Sequence, residues 1–307
     1  MNRDNDKGKV LIRRSLIMAL GKFFLLLVIV GRLYYLQVYQ ADRYKTLADE
    51  NRISTRLLIP PRGEIVDRNG KILNIGVVNR FNDSVNLIKK YIDDGRLGEV
   101  YHVYVSFRAH RSIPGLGGAF TTKAIAGGGA LIDWGVHYLD IVMYCTGDPT
   151  PKTVTGEAFC KLGKDMPNYV YKNMWSENTK DLNGTYDVDD SVTALIRTEG
   201  PTFTLHGAWA QNIDHDEMYI DFMGDKGGIR LKYGANFEVF TTMYGSLVKY
   251  EPEFKMNNHF QNEIDAFVRS VQTGERLPSH IDTVAVTARI MQAIYDSAAQ
   301  HREIVLD

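Results

Sequence analysis

The chain has 307 residues, of which 44% are hydrophobic and 24% charged, values typical of a globular protein. Its two cysteines, Cys145 and Cys160, exclude a disulfide-rich scaffold. The net charge of -1 hides an asymmetry, because residues 1–75 carry 14 Lys and Arg against 7 Asp and Glu, whereas residues 76–307 carry 22 against 30. A basic head on an acidic body indicates two parts with different surroundings, and the acidic body argues against nucleic-acid binding.

The first predicted element is an apolar helix over residues 15–38. At about 1.5 Å per residue it would reach roughly 30 Å, the thickness of a bilayer core, and the Lys22 and Arg32 side chains could extend to the headgroups. Because residues 1–14 are basic, we predict a cytoplasmic tail followed by one transmembrane helix of the inner membrane, with the N-terminus inside. The alternative is a hydrophobic helix packed on protein in a cytoplasmic molecule.

The residues after this helix resemble the start of a class B penicillin-binding protein. The resemblance rests on the segments Leu47–Arg52 and Arg62–Gly70, the second of which reads Arg-Gly-Glu-Ile-Val-Asp-Arg-Asn-Gly. In that family a membrane anchor leads into a periplasmic pedestal, which implies a pedestal-like segment over residues 39–73. A transpeptidase would also need S-x-x-K, S-x-N and K-T-G elements. Only Ser246–Lys249 matches the first of these, so no transpeptidase site is expected.

From residue 74 onwards the pattern alternates between helices and strands. The run Asn82–Ser84 is predicted to supply the N-cap of a helix that ends at Gly95, and the glycines 127–129 precede a second helix over residues 130–145. Strands are predicted at 101–107, 153–159, 191–197, 202–210, 218–222, 228–233 and 237–241, and further helices at 259–271 and 283–299. We therefore predict an α+β fold with an open, mostly antiparallel sheet, helices on one face and no Rossmann domain. The other face is expected to pair with a second copy in a homo-oligomer.

The helix over residues 130–145 carries a candidate acid/base pair. Asp133 and His137 are four residues apart, which places their side chains on one face of an α-helix. A carboxylate there can hold an imidazole in one tautomer, and the histidine pKa of about 6.5 suits proton exchange with a hydroxyl. From the spacing alone, the alternative is an ion pair on the helix surface.

The surrounding residues, 126–140, resemble the substrate-domain signature of the Gfo/Idh/MocA oxidoreductases, the glucose-fructose oxidoreductase and inositol dehydrogenase family. The segments Asn79–Phe81 and Gly95–Val100 extend this resemblance, which covers about residues 72–307 and implies a substrate and oligomerisation domain over residues 74–307. It implies that a nicotinamide cofactor, NAD or NADP, removes hydride from a sugar or polyol while Asp133 and His137 handle the hydroxyl proton. Lys123, His110 and His206 are further candidates for substrate binding.

Members of that family begin with a Rossmann domain bearing G-x-G-x-x-G and carry a later E-K-P segment. Gly115–Gly118 lacks the required strand, turn and helix, so this chain alone is not expected to bind NAD(P). The resulting expectation is a chimera, joined near residues 69–73, of a truncated oxidoreductase and a foreign anchor. The alternatives are a membrane-anchored peptidoglycan-elongation fragment with a passenger domain, and a sugar-binding module. No metal site is predicted, because the side chains of the consecutive residues Asp214–Glu217 point in different directions.

Overall fold

The structure is a computed structural model that describes residues 18, 20–32, 34–35, 75–172, 179–234 and 236–306. The chain divides into two compact units, Met1–Gly63 and Glu64–Asp307. The predictions of a cytoplasmic tail over residues 1–14 and of a pedestal-like segment over residues 39–73 lie outside the described residues. The domain boundaries drawn from the sequence stay predictions.

In the first unit, residues 20–32 form a helix whose apolar side chains are exposed. In the described part of the chain, no helix has the length and apolar character that a membrane crossing requires. The transmembrane helix predicted over residues 15–38 is therefore wrong, and the inner-membrane location that depended on it has no support. The physical reason is that Lys22 and Arg32 leave only nine uncharged residues between them, about 14 Å of helix against a bilayer core of roughly 30 Å.

The second unit is built on a nine-stranded sheet with the strand order β8-β7-β6-β5-β1-β4-β3-β2-β9. The strands are β1 Val100–Arg108, β2 Pro151–Phe159, β3 Ser191–Thr198, β4 Thr202–Ala208, β5 Glu217–Gly224, β6 Gly227–Lys232, β7 Phe237–Met243, β8 Ser246–Tyr250 and β9 Ile304–Val305. Strands β1 and β4 run parallel, whereas the other neighbouring pairs are antiparallel.

The sheet is thus mixed, which corrects the predicted fold class a second time. The short turns in the sequence predict antiparallel pairs such as β3–β4 and β5–β6, and these pairs are present. The parallel pair joins strands that are separated by β2, β3 and a helix, and no local signal in the sequence reveals such a contact.

The helices described in the second unit are α1 Asp83–Asp93, the single turn α2 Lys123–Ala126, α3 Val136–Cys145, α4 His259–Thr273 and α5 Ile281–Gln300, with 3-10 turns at Val78–Phe81, Ala119–Thr121 and Leu162–Lys164. Helices α1, α3 and α5 pack in the hydrophobic core on one face of the sheet, whereas α2 and α4 have no buried residue. Every second side chain of β1 is buried on that face, beginning with Val103, and packs in one core with Leu139 of α3 and Ile290 of α5. This core fixes α3 above the centre of the sheet.

A buried ion pair ties α3 to the start of the second unit. The Arg80 guanidinium donates to Asp140 on α3, with a shortest distance of 2.7 Å, and both side chains are at most 2% exposed. It also donates to Asp148, just beyond the end of α3, at 3.1 Å. Removing one partner would leave a buried charge uncompensated, so this network holds the helix in position. The segment Asn79–Phe81 that contributes to the family resemblance therefore has a structural role here.

Candidate active site

The helix that carries Asp133 and His137 begins as a π-helical turn, Leu131–Gly135, and continues as α3. Single π turns are rare and occur frequently at functional sites. Because the turn is wider than an α-turn, the spacing of four residues no longer guarantees contact. Neither a hydrogen bond nor an ion pair joins Asp133 to His137 among the described residues. Both side chains are half-buried on the same short stretch of helix.

The Asp133 carboxylate instead has a partner from the sheet. Its Oδ2 accepts a hydrogen bond from Nε1 of Trp209 at 3.0 Å, and the Trp209 side chain is fully buried. Burial raises the pKa of Asp133, and the hydrogen bond from Trp209 opposes that rise. Within the described residues, Oδ1 of Asp133 has no hydrogen-bond partner in the protein.

The His137 imidazole makes no hydrogen bond or ion pair within the described ranges. Burial lowers its pKa, so the neutral ring predominates near neutral pH and can accept a proton. The site therefore presents a carboxylate oxygen and an imidazole, both half-buried and both without a partner in the part of the chain that the structure describes. Such a pair can bind a hydroxyl group and take up its proton.

Asp189 holds the turn that precedes these residues. Its Oδ1 accepts hydrogen bonds from the backbone N–H of Gly129 at 2.8 Å and from the Tyr295 hydroxyl at 2.7 Å. Its Oδ2 accepts from the backbone N–H of Leu131 at 2.9 Å, and its carbonyl oxygen accepts from the N–H of Ala130. These N–H groups belong to the first turn of the helix, where a carboxylate is favoured by the unpaired donors and the helix dipole.

The glycine run before the helix is explained by the same contacts. A Cβ on Gly129 would lie 1.9 Å from the Asp189 carbonyl oxygen, and one on Gly128 would lie 2.2 Å from the Tyr295 hydroxyl. Glycine at these two positions allows the backbone to approach Asp189 closely enough for hydrogen bonding. Gly128 and Gly129 of the triple glycine are thus packing requirements, whereas Gly127 has open space around it and adopts a positive φ of 81° at the end of the preceding helical turn.

Two of the other predicted substrate residues, Lys123 and His110, lie outside the helix that carries Asp133 and His137, and their role in substrate binding stays a prediction. Lys123 is exposed at the start of α2, and its backbone N–H donates to Asp187 at 2.6 Å. His110 follows β1, where its Nδ1 lies 3.1 Å from the carbonyl oxygen of Gln211.

His206 lies on the opposite face of the sheet from the helix. The neighbouring residue on β4, Gly207, packs against Phe107, whose ring contacts Tyr138 of α3. Side chains alternate along a strand, so His206 points away from the helices and instead meets Tyr104, with Nδ1 3.4 Å from the hydroxyl. The alternation places a sheet layer between His206 and the acid/base pair.

Two residues that organise the site, Trp209 and Asp189, were absent from the sequence-based candidates. Trp209 packs in the core, and its indole N–H also donates to Asp133. The available signals are a tryptophan near the end of the predicted strand 202–210 and the acidic pair Asp189-Asp190 immediately before the predicted strand 191–197. Neither signal identifies a partner that lies 58 to 76 residues away.

The glycine-rich loop Gly115–Gly118 does not fit a dinucleotide phosphate. The backbone N–H of Gly117 donates to the Thr121 side chain and that of Gly118 donates to Gly115. A Cβ on Gly117 would lie 2.0 Å from the Asp181 carbonyl oxygen, so the loop is already packed against backbone. Among the residues that the structure describes, no group of three or more His, Cys, Asp or Glu is arranged to hold a metal ion.

Comparison with known proteins identifies relatives of the second unit. Residues 85–230 match the model of the GFO/IDH/MocA C-terminal domain. D-glucoside 3-dehydrogenase of Escherichia coli (strain K12) is 29% identical over 232 residues, which are 75% of this chain and 63% of that protein. Levoglucosan dehydrogenase, solved in complex with NADH and levoglucosan, has the same fold, with a TM-score of 0.60, 18% identity and coverage of 76% of this chain and 66% of its own. This chain thus spans about two thirds of the length of these proteins, and the matches support that oxidoreductase family for the second unit.

A shorter match concerns a different class of protein. Peptidoglycan D,D-transpeptidase MrdA of Acinetobacter baumannii is 39% identical over 72 residues, which are 23% of this chain and 11% of that protein. The chimeric origin predicted from the sequence stays a prediction.

Proposed function

We propose that residues 75–306 form the substrate-handling part of an oxidoreductase that acts on a sugar or polyol. In this proposal, Asp133 and His137 bind a substrate hydroxyl, and one of them accepts its proton when the neighbouring carbon is oxidised. The observation that carries the proposal is a half-buried carboxylate oxygen and a half-buried neutral imidazole, four residues apart on one stretch of helix and without protein partners in the described residues. The sugar and polyol dehydrogenases among the relatives supply the substrate class.

The hydride acceptor in this proposal is a nicotinamide cofactor, as in the relative solved with NADH. The backbone N–H groups of Gly117 and Gly118 already have partners within the protein and do not form a binding site for the phosphates of the cofactor. We therefore propose for the residues of this chain only substrate binding and acceptance of the hydroxyl proton. The absence of activity in this chain by itself stays a prediction from the sequence.

Calorimetric titration of the full chain with levoglucosan, methyl α-D-glucoside and myo-inositol tests the proposal. We expect at least one of these ligands to bind, and we expect Asp133→Asn to weaken binding about tenfold or more and His137→Gln to weaken it about twofold to tenfold. A hydrogen bond to the charged carboxylate contributes about 1.5–3 kcal/mol, and one to the neutral imidazole contributes about 0.5–1.5 kcal/mol.

The matched controls are Asp214→Asn and His215→Gln, the same substitutions on a loop where the two side chains are 86% and 67% exposed. They should leave the affinity unchanged. The proposal fails if none of the three ligands binds, or if the loop variants and the site variants weaken binding equally.

We also propose that the outer face of the sheet pairs with a second copy of the chain. Tyr104, His206 and Tyr219 lie side by side on the central strands of this face, and their side chains are half-buried. The Arg230 guanidinium lies 4.3 Å from the centre of the Tyr219 ring. Aromatic and arginine side chains of this kind are enriched in protein interfaces.

A role in peptidoglycan elongation is the second candidate, favoured by the match to MrdA. The match spans 11% of that protein, and Ser246–Lys249 lies in β8, where Lys249 pairs with Glu238 at 2.6 Å. Co-purification of elongation proteins with the full chain, but not with residues 75–307 alone, would support this candidate.

A further inference from the structure

Trp209 contacts Asp133, one of the two candidate acid/base residues, through its side chain. It follows β4 directly, is fully buried, and packs in a second cluster with Ile113, Leu116 and Tyr186. Its ring is therefore fixed by packing on all sides. The only polar atom of the ring, Nε1, is directed at Oδ2 of Asp133 at 3.0 Å.

The backbone of Trp209 is fixed as firmly as its ring. Its N–H donates to the carbonyl oxygen of Asp190 at 2.9 Å, and its own carbonyl accepts from the N–H of Ser112 at 2.8 Å. Asp189, which precedes Asp190 in the chain, accepts hydrogen bonds from the first turn of the helix that carries Asp133. The segment Asp189-Asp190 therefore sets both the donor and the helix on which the acceptor lies.

We propose that Trp209 is a positioning residue, which binds one carboxylate oxygen of Asp133 and leaves the other directed toward the substrate hydroxyl. This inference rests on the proposed function of Asp133. A carboxylate on a short side chain can rotate about its Cβ–Cγ bond, which would expose either oxygen in turn. Because the ring and the backbone of Trp209 are both fixed, its indole N–H holds Oδ2 of Asp133 in place and prevents this rotation.

The same hydrogen bond favours the charged form of the carboxylate. Burial raises the pKa of Asp133, and donation from Trp209 lowers it. A proton acceptor must be ionised to act, so the bond extends the working range of Asp133 to lower pH. The titratable groups on the elements around this contact are His137, Tyr169, Tyr186, Asp189 and Asp190.

The Trp209→Phe variant of the full chain tests this proposal, because phenylalanine keeps a buried ring and removes the N–H. Carboxyl 13C NMR, with Asp133 assigned through Asp133→Asn, should show that the pKa of Asp133 is higher in Trp209→Phe than in the wild type. At pH values where Asp133 is protonated in the variant but ionised in the wild type, affinity for levoglucosan, or for whichever of the three ligands binds, should be about tenfold lower in the variant.

Trp134→Phe is the matched control, since Trp134 is the neighbour of Asp133 and makes no hydrogen bond to it within the described residues. This variant should leave the pKa of Asp133 unchanged. A merely structural role for Trp209 predicts that both variants lower stability and that neither moves the pKa.

A measurement on the wild type covers the case in which Trp209→Phe does not fold. The indole N–H resonance of Trp209 should shift with pH in step with Asp133, and the shift should be absent from Asp133→Asn. If the indole resonance does not follow Asp133, the positioning role is overturned while the proposed function stands. If it does follow Asp133 but Asp133→Asn binds the ligand like wild type, the proposed function fails and the positioning role fails with it.

Discussion

At the scale of single residues, the uncharged state of His137 affects the stability of the protein. Burial lowers the pKa of His137 below its ordinary value of about 6.5, so below that pH the unfolded chain binds a proton that the folded chain excludes. Stability is therefore expected to fall as the pH drops through about 6.5. In His137→Gln this loss should be reduced, and urea denaturation at pH 5.5, 6.5 and 7.5 measures it.

The control for that experiment is His215→Gln, because the His215 side chain is 67% exposed on a loop. Its stability should follow the wild-type dependence on pH. If His137→Gln and wild type lose the same free energy of unfolding between pH 7.5 and 5.5, then His137 is not protected from protonation in the folded protein.

The same scale shows what a sequence can reveal about a site. The acid/base candidates Asp133 and His137 lie on one helix, so their spacing and the motif around them indicated them together. Trp209 reaches Asp133 from 76 residues further along the chain, and helical periodicity carries no information on such a contact. His206 was a candidate by residue type alone, and the face on which it lies depends on the pairing of β4.

At the scale of an element, the first turn of the acid/base helix depends on the absence of a side chain at Gly129. Gly129→Ala would place a methyl group 1.9 Å from the backbone oxygen of Asp189, and backbone cannot move as cheaply as a side chain. We expect a loss of about 1–3 kcal/mol in the free energy of unfolding, as for other overpacked positions. Urea denaturation at pH 7.5 measures it, and ligand affinity should fall as well because the turn moves.

Gly200→Ala is the matched control, because a Cβ there would meet its nearest neighbours at 3.8 Å in the turn between β3 and β4. It should change stability by less than about 0.5 kcal/mol. Equal losses in the two variants would show that the close approach of Gly129 to Asp189 is not needed for the fold.

Elements were more predictable than their internal geometry. The strand ends predicted from alternation agree with the observed ends within two residues, because turn residues mark them clearly. The π turn Leu131–Gly135 was predicted as ordinary α-helix, since one extra residue in a turn barely changes the pattern of apolar positions. The helix cap was predicted within Asn82–Ser84, and Asn82 is the residue that caps, with its side chain accepting from the Ser84 N–H at 2.9 Å.

At the scale of the whole molecule, the errors came from long-range order and from the first unit. The parallel pairing of β1 with β4 places Tyr104 beside His206 and, through β5, beside Tyr219. No short segment of the sequence indicates that these three side chains share a surface. The transmembrane prediction failed because a length of apolar residues was given more weight than the two charges within it.

The shared surface of the sheet leads to a prediction about assembly. If this face pairs with a second copy, Tyr219→Glu would bury two carboxylates at the interface without partners, beside the corresponding residues of the other copy. We expect sedimentation velocity to give an oligomer for the wild type and a particle of roughly half that mass or less for Tyr219→Glu. Tyr244→Glu, at the exposed turn between β7 and β8, is the control and should sediment like the wild type. A monomeric wild type, or an oligomer that persists in Tyr219→Glu, would show that this face is not the interface, because a closed two-fold contact through it could not tolerate two buried unpaired charges.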